Sequence, residues 1–406
     1  MEGNWAPARV RRNFRIDAGS ALCTGVYISI VVTFMPVVVR RMGGSAADVA
    51  LVIAAPFIGH LLSPLFTYLF AGLPPVRVVA ATATTARVVF LVGVLVAATP
   101  LMFAATTVVS FVIAVANIGA YTWLMQGIYP DRERAKAMAN VRIGASIAGI
   151  AGAAIGGAFI DVIPAAFVFA AAALVALVGA VAVFGMRYDA VTTPARRPID
   201  VVARDVWADR RYRRMLVAAM VFGIGNLMNA AIIPILLVDH FKASNSFIGA
   251  LAVVTSATMI VAYAVWGRVI DRGSSIRLTL VNTVLTLLVP IGYIAAPDVW
   301  ALLPVAMIAG IVNAGGELTF FTNIVQLAPR ERIGEYAAAQ SLLMGVRGTV
   351  APFVASALLG VIDARAVLLT GVLFMTFGAW IMAGAVRIAG EARVSLPAAP
   401  AQTPAD

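Results

Sequence analysis

Residues 18–39 read AGSALCTGVYISIVVTFMPVVV, a stretch that contains no charged side chain. Arg15 precedes it and Arg40 follows it. At ~1.5 Å per residue, a helix of this length matches the ~30 Å hydrocarbon core of a bilayer. The segment therefore predicts a membrane-spanning helix, and the rest of the chain repeats the pattern.

The composition is that of a membrane protein. The 406 residues are 62% hydrophobic and 12% charged, whereas an ordinary soluble domain is about 25% charged. A single cysteine, Cys23, excludes an internal disulfide and a multi-cysteine metal site, and we expect neither a metal nor a cofactor. The predicted fold is all-α with twelve spans: 18–39, 47–71, 78–98, 101–127, 137–160, 163–186, 215–238, 247–270, 276–296, 299–326, 335–361 and 366–388.

The basic residues predict the orientation of these spans. Twelve spans place both termini on one side, and few basic residues fall on the other. Lys and Arg are concentrated in cytoplasmic loops, so both termini are expected in the cytoplasm of a multi-pass plasma-membrane protein, such as one of a bacterial inner membrane. The net charge of +11 is thereby explained without nucleic acid, which we do not expect as a partner. The basic residues on the opposite side are Arg40, Arg41, Lys242 and Arg365.

An internal repeat relates the two halves of the chain. At a lag of about 200 residues, Pro36 recurs as Pro234, and Ile160-Asp161 recurs as Ile362-Asp363. The halves are therefore predicted to be related six-helix bundles that enter the membrane in the same direction. The predicted divisions are a cytoplasmic tail at 1–16, bundles at 17–186 and 215–388, a polar cytoplasmic linker at 187–214, and a disordered tail at 389–406.

Twelve spans in two six-helix copies resemble the major facilitator superfamily of secondary transporters. Residues 267–273, GRVIDRG, follow span 8 and resemble the superfamily's loop signature of Gly, three residues, Asp and a basic residue. The first-half counterpart, 72–77, lacks the aspartate. The resemblance implies that Gly267, Asp271 and Arg272 latch one conformation of the transporter. The alternative is that they form only a solvated helix end.

A glycine-rich element in span 5 adds a second resemblance. Residues 152–157, GAAIGG, are similar to an element of the drug:proton antiporters in which a proline follows the first glycine, and Pro352 restores that proline in span 11. Gly152, Gly156 and Gly157 favour close approach of helices. They contribute either packing alone or packing that also controls rocking of the two halves.

Glu317 is the only carboxylate well inside a span. Charged groups at mid-bilayer cost ~2.5–3.5 kcal/mol on insertion scales, so they usually pair or carry function. Arg347 lies at the same depth on the next span, and we expect the two to form an ion pair. The pair is either structural or coupled to protons or substrate. Arg142, near the start of span 5, is expected to extend to the cytoplasmic interface.

Polar and aromatic residues at helical spacing predict a substrate cavity. Asn313, Glu317 and Phe321 share one face of span 10, and Asn117 and Tyr121 are their counterparts in span 4. The family resemblance places spans 1, 4, 7 and 10 around a central cavity. Four other residues are cavity candidates: Asn226, Asn229, Arg87 and His60. The structural alternative is an interhelical hydrogen bond for each asparagine, an internal pair for Arg87 and a buried neutral side chain for His60.

No nucleotide-binding loop, hydrolase elbow or zinc-protease helix occurs in the sequence, so we do not expect an enzyme. We expect a monomeric secondary active transporter that moves a small amphipathic organic molecule by alternating access, with proton-coupled efflux as the favoured mode. Its expected partners are the substrate, protons and the bilayer. The alternative is uptake or facilitated diffusion of a small organic anion, since Arg87, Arg142 and Arg347 outnumber Glu317 inside the spans.

Overall fold

The computed structural model describes residues 7–70, 72–188, 199–272, 275–329 and 332–394. These residues form α-helices joined by short turns. The helices are α1 (Pro7–Arg41), α2 (Ala46–Leu69), α3 (Pro75–Val96), α4 (Pro100–Val115), α5 (Ile118–Ile128), α6 (Asp131–Ile160), α7 (Ala165–Ala182), α8 (Ile199–Ala208), α9 (Arg210–Asp239), α10 (Asn245–Arg272), α11 (Ser275–Thr286), α12 (Leu288–Ala295), α13 (Leu302–Leu327), α14 (Ile333–Leu359) and α15 (Ala364–Val394).

The predicted all-α membrane fold is confirmed. In the described part of the chain, eleven helical segments are long and apolar enough to cross a bilayer. A twelfth span is the pair α4 and α5, which bends by 41°. Asn117 lies at this bend, where its side-chain Nδ2 donates to Thr82 Oγ1 at 3.0 Å. This hydrogen bond ties the bend to α3.

The helices extend beyond several predicted boundaries. The α1 helix begins at Pro7, inside the predicted tail 1–16, and its first turns are held to the end of the first half by Asn13, which exchanges hydrogen bonds of 2.8 and 3.0 Å with the backbone of Arg187. The predicted linker 187–214 contains α8 and the first turn of α9, while its residues 189–198 lie outside the described residues. The α15 helix runs into the predicted tail 389–406, of which 395–406 are likewise not described.

Helices α1–α7 form the first half and α9–α15 the second. We call the membrane side of Pro7 and Val394 the terminus side, and the opposite side the far side. The main apolar core contains residues of both halves, among them Phe34 and Met35 on α1 and Ile232 and Ile235 on α9. Because these residues lie toward the far-side ends of their helices, the core joins the halves there.

The two halves meet along two seams. In the seam of α2 with α14, a Cβ atom at Gly345 would lie 2.7 Å from the backbone nitrogen of Leu61, and one at Gly348 would overlap the ring of Phe57. In the seam of α6 with α10, a Cβ atom at Gly157 would lie 3.1 Å from the Cα of Gly249. Only glycine permits such close approach of the backbones. Both seams are therefore tightly packed where these glycines lie.

Candidate functional site at the interface of the two halves

Glu317 on α13 contacts two side chains, one of which belongs to the other half. Its Oε1 accepts a hydrogen bond of 3.0 Å from Nη1 of Arg142 on α6, which makes an ion pair between the halves. Its Oε2 accepts a hydrogen bond from the hydroxyl of Tyr263 on α10. Arg142 and Glu317 keep 55% and 38% of their side-chain surface exposed, so both groups remain accessible to protons. The three residues are called the Glu317 triad below.

The structure corrects the predicted partner of Glu317. The Nη1 of Arg347 instead donates to the backbone carbonyl of Ala219 on α9. A Cβ atom at Gly223 would overlap this guanidinium, so the glycine provides the space that Arg347 fills. Equal depth in the membrane did not imply contact, because Arg347 points toward α9 rather than α13.

The position of Arg142 also differs from the expectation. The α6 helix begins at Asp131 rather than near residue 137, so Arg142 lies eleven residues along it. At ~1.5 Å per residue, this places Arg142 about 16 Å from the helix start. Its side chain pairs there with Glu317 on α13. The earlier helix start, marked by Pro130 before Asp131, was the sequence signal that could have revealed this position along the helix.

A cleft of about 440 Å³ lies between the halves on the far side of the Glu317 triad. It is bounded by α1, α6 and α10, and Tyr263 belongs both to its wall and to the triad. Its volume is in the range of sites for small organic molecules. The lining residues are Ala21, Thr24, Gly25, Ile28, Ser29, Val32, Thr33, Ala145, Ser146, Gly149, Ser256, Met259, Ile260 and Tyr263. None of the residues predicted to form the substrate cavity is among them.

An ion pair closes the far side of the interface. Nε of Arg40, at the end of α1, donates to both carboxylate oxygens of Asp239 on α9, at 3.1 and 3.0 Å. Arg41 donates to the carbonyl of Ala243 in the second half and lies 3.6 Å from Asp161 in its own half. The end of α1 is thus fastened to the α9–α10 connection.

Asp161, which follows α6, caps the N-terminus of α10 from the other half. Its carboxylate accepts hydrogen bonds from Asn245 Nδ2 at 2.7 Å and from the Ser246 backbone nitrogen at 3.0 Å. Burial alone would raise the pKa of Asp161, but the hydrogen bonds from Ser246 and Asn245 outweigh it and hold the pKa below its ordinary value. A negative charge at a helix N-terminus is also favoured by the helix dipole. Asp161 therefore stabilises closure of the far side.

Three predicted cavity residues lie in contacts within their own half. The Asn229 side chain is buried and donates from Nδ2 to the sulfur of Met375 on α15, at 3.4 Å. Arg87 is 7% exposed and its guanidinium carbon lies 4.2 Å from the centre of the Tyr27 ring. Asn117 contacts α3, as described above. The structural alternative fits each of these three better than a place on the cavity wall.

The remaining cavity candidates are more open. Tyr121 interacts electrostatically with Arg142, which places it near the Glu317 triad. Asn313 is exposed, Asn226 is half-buried, and His60 is half-buried where α2 meets α14. The Nδ1 atom of His60 has no hydrogen-bond partner among the described residues. The side chain of Phe321 lies outside the described residues.

The predicted latch and packing residues are placed as follows. Gly267 has no neighbour within 4 Å of a Cβ position, and the side chains of Asp271 and Arg272 lie outside the described residues. A Cβ atom at Gly152 would lie 2.8 Å from the carbonyl oxygen of Val26 on α1. Gly156 likewise contacts α1, whereas Gly157 contacts α10 and Pro352 is buried in α14. Gly157 therefore contacts the other half, as does the carbonyl oxygen of Ala153, which would lie 2.8 Å from a Cβ atom at Gly249.

The described residues contain no group of three or more His, Cys, Asp or Glu side chains arranged to hold a metal ion. Two six-helix bundles with an ion pair and a cleft between them define a membrane transporter built from two halves. The chain belongs to the Major Facilitator Superfamily, whose family model matches residues 18–236 and 215–404. This match shows a transporter fold and does not single out the drug:proton antiporters.

Solved structures share this fold at low sequence identity. The nucleoside transporter NupG is 14% identical and covers 93% of this chain and 99% of its own, with a TM-score of 0.69. A variant of NupG reaches a TM-score of 0.74 at 11% identity, covering 92% of this chain and 99% of that one. A bacterial homolog of the human lysosomal transporter Spinster, in an inward-facing and unoccupied conformation, is 13% identical over 99% of this chain and 100% of that one, with a TM-score of 0.68. No curated protein sequence matches the chain.

Proposed function

We propose that the protein is a proton-coupled secondary transporter that exports a small amphipathic organic molecule by alternating access. We also propose that the terminus side faces the cytoplasm of a plasma membrane and that one chain forms the working unit. The arrangement of basic residues supports this orientation, because Arg11, Arg12 and Arg15 are exposed at the start of α1. The presence of both halves in one chain supports the monomer.

The observation that carries the proposal is the Glu317 triad. The Arg142–Glu317 contact requires an ionised carboxylate and joins the two halves. When the halves separate at this level, the carboxylate loses its cation, whereas the Tyr263 hydroxyl belongs to the same half and stays beside it. Isolation from a cation favours the protonated form of an acid in a low-dielectric site. Proton uptake by Glu317 is thereby coupled to the relative movement of the halves.

This coupling produces exchange of protons for substrate across the membrane. The ionised triad closes the cleft toward the terminus side, and protonation of Glu317 opens it. A proton taken up from the far side is then released to the cytoplasm, where substrate enters the cleft. The triad forms again, the Arg40–Asp239 pair opens, and the substrate leaves on the far side. The direction of export rests on the similarity of residues 152–157 to the drug:proton antiporters.

A second candidate function is uptake or facilitated diffusion of a small organic anion. The observation in its favour is that Arg87 and Arg347 have no carboxylate partner among the described residues. Both have an Nε atom that is buried without a hydrogen-bond partner. An anionic substrate that reached either guanidinium would supply the missing charge.

Transport by the purified protein in proteoliposomes tests the proposal. A trapped pH dye reports whether movement of a candidate substrate changes the lumenal pH, and nucleosides are a rational first panel because NupG is a nucleoside transporter. We expect the Glu317→Gln variant to lose proton-driven transport and keep substrate counterflow, because glutamine resembles the protonated acid.

The matched control is Glu335→Gln, which removes a carboxylate that pairs with Arg332 at 2.8 Å away from the cleft. It should retain proton-driven transport. If Glu317→Gln transports against a gradient with unchanged pH dependence, proton coupling through Glu317 is wrong and the facilitated-diffusion alternative is favoured.

A further inference from the structure

Hydroxyl groups without partners line the cleft. Thr24, Ser29 and Thr33 on α1 and Ser256 on α10 belong to its wall. None of these four side chains makes a hydrogen bond within the described residues. The hydroxyl of a serine or threonine in a helix commonly donates a hydrogen bond to the backbone carbonyl four residues earlier. These four are therefore available to a molecule that occupies the cleft.

Other hydroxyls of the same protein show the contrast. Thr107 donates to the carbonyl of Phe103 at 2.8 Å, and Thr370 donates to that of Ala366 at 2.9 Å. Within the cleft itself, Ser146 bonds to the carbonyl of Arg142 at 3.0 Å. Thr84 and Thr349 also have hydroxyls without a partner among the described residues, but the four on the cleft wall lie together around an open space. A bound molecule with oxygen or nitrogen atoms would satisfy them.

The rest of the wall is uncharged and apolar. The lining residues include no Asp, Glu, Lys, Arg or His side chain. Ile28 and Val32 on α1 and Met259 and Ile260 on α10 supply apolar surface. An ion in this cleft would lose hydration without gaining an opposite charge on the wall, which is unfavourable. The chemistry of the wall favours an uncharged ligand with both an apolar and a hydrogen-bonding side.

The shape of the cleft favours an elongated ligand. The α1 residues of the wall extend from Ala21 to Thr33. Twelve residues of helix correspond to about 18 Å at ~1.5 Å per residue. A cleft of about 440 Å³ that follows α1 over this distance is narrow, so its occupant lies parallel to the helices.

We propose that this cleft is the substrate site and that it binds an elongated, uncharged amphipathic molecule with hydroxyl or carbonyl oxygens. The oxygens bond to the hydroxyls of α1 and Ser256, and the apolar part contacts Met259 and Ile260. This inference rests on the proposed transport function and names its site and substrate class. Tyr263 connects the site to Glu317, because an oxygen of the ligand competes with the carboxylate for its hydroxyl.

Three probe molecules that share an octyl chain and differ in their head group test this proposal. The protein carries Cys23→Ala and Ile260→Cys in nanodiscs, so that the introduced thiol reports occupancy of the cleft by its rate of maleimide labelling. The probes are octyl glucoside, octyl sulfate and octyltrimethylammonium, each below its micelle-forming concentration. We expect octyl glucoside to slow labelling in a saturable manner, and the two charged probes to have little effect.

Removal of hydroxyls shows whether protection arises in the cleft. Thr33→Val and Ser256→Ala lie on different helices and each should weaken octyl glucoside binding about two- to tenfold, the usual range for one lost hydrogen bond. Thr370→Val removes a hydroxyl bonded to its own helix and should leave binding unchanged. Two independent variants keep the test valid if one of them fails to fold.

Several outcomes would overturn the proposal. Equal protection by all three probes would indicate partition into lipid, and protection by octyl sulfate alone would indicate an anionic substrate. Protection that is insensitive to both hydroxyl variants would place the ligand elsewhere. Unchanged proton-driven transport in Glu317→Gln with intact protection rejects only the proposed coupling, whereas absent protection with loss of proton-driven transport in Glu317→Gln rejects only the cleft.

Discussion

At the scale of single residues, Glu317 makes one of the contacts between the two halves. One carboxylate oxygen is bonded to Arg142 and the other to Tyr263. Both partners lie on helices other than that of Glu317, and only Arg142 belongs to the opposite half. The contact therefore responds to movement of the halves and to the protonation state of one side chain.

Removal of the cation is predicted to change the pH dependence of transport. Arg142 supplies the positive charge that favours the ionised form of Glu317. We expect Arg142→Ala to move the pH profile of proton-driven transport to higher pH. The profile in proteoliposomes measures this directly.

Arg347→Ala is the control for this experiment. Arg347 contacts the carbonyl of Ala219 rather than a carboxylate, so its removal should leave the pH profile in place. A shift with Arg347→Ala, and none with Arg142→Ala, would contradict the observed pairing.

The sequence singled out Glu317 but did not predict the side chains that it contacts. Glu317 stood out because a carboxylate inside an apolar run is costly. The depth of Arg347 could be estimated from its position along the span, but its direction around the helix axis depended on the space left by Gly223. Tyr263 carried no signal, because a tyrosine in a span is unremarkable without knowledge of its neighbour. Contacts between distant helices are fixed by packing, which one sequence does not reveal.

At the scale of elements, the N-termini of α2 and α10 are stabilised differently. Ser45 and Asp48 form a capping box at the start of α2, within the same helix. The N-terminus of α10 is capped instead by Asp161 of the opposite half. Asp363, the counterpart of Asp161, accepts from the backbone nitrogens of Arg365 and Ala366 in α15. Only one of the two repeated aspartates therefore joins the halves.

Asp161→Asn is predicted to weaken closure of the far side. The substitution removes the charge at the α10 N-terminus, an interaction worth about 1 kcal/mol, or roughly fivefold in an equilibrium. Labelling of a Val38→Cys thiol in the Cys23→Ala background measures the change, because Val38 is 6% exposed in the far-side core. We expect its labelling to accelerate about fivefold, and no change for Asp363→Asn.

The same interaction has a predicted pH dependence. The pKa of Asp161 is held below the ordinary value of 3.8, so the closed far side is stabilised when the carboxylate is ionised. This stabilisation is fully present above pH 3.8 and is lost as the pH falls through the lowered pKa. The rate of Val38→Cys labelling, divided by the rate of the same reaction with a free thiol at each pH, should therefore be constant near neutral pH and rise only in strong acid. A rise near pH 6 would contradict the assignment to Asp161.

At the scale of the whole molecule, the fold was the most predictable property. Each span is an apolar run with few charged side chains, and the bilayer requires such runs to be helical because backbone groups have no water to bond to. The bend between α4 and α5 and the cleft beside α1 were not predicted. Both depend on side chains from several helices, such as the contact of Asn117 with Thr82.

The orientation of the molecule is predicted by its basic residues. In a Cys23→Ala background, a Met42→Cys thiol should react with a membrane-impermeant maleimide in intact cells, because Met42 lies on the far side and is 41% exposed. A Trp207→Cys thiol on α8 should react only after permeabilisation, although Trp207 is 51% exposed. The reverse pattern would overturn the orientation and, with it, the proposed direction of proton movement.

The two seams differ in a way that affects how the molecule moves. The seam of α2 with α14 is packed by Gly345 against the Leu61 backbone and by Gly348 against the Phe57 ring, whereas that of α6 with α10 has the polar Asp161 cap and the cleft. A duplicated protein with unequal seams should open asymmetrically, with the first seam acting as a hinge and the second as a gate. Spin-label distances across α6 and α10 should then change more than those across α2 and α14, so that the permeation path lies off the pseudo-symmetry axis.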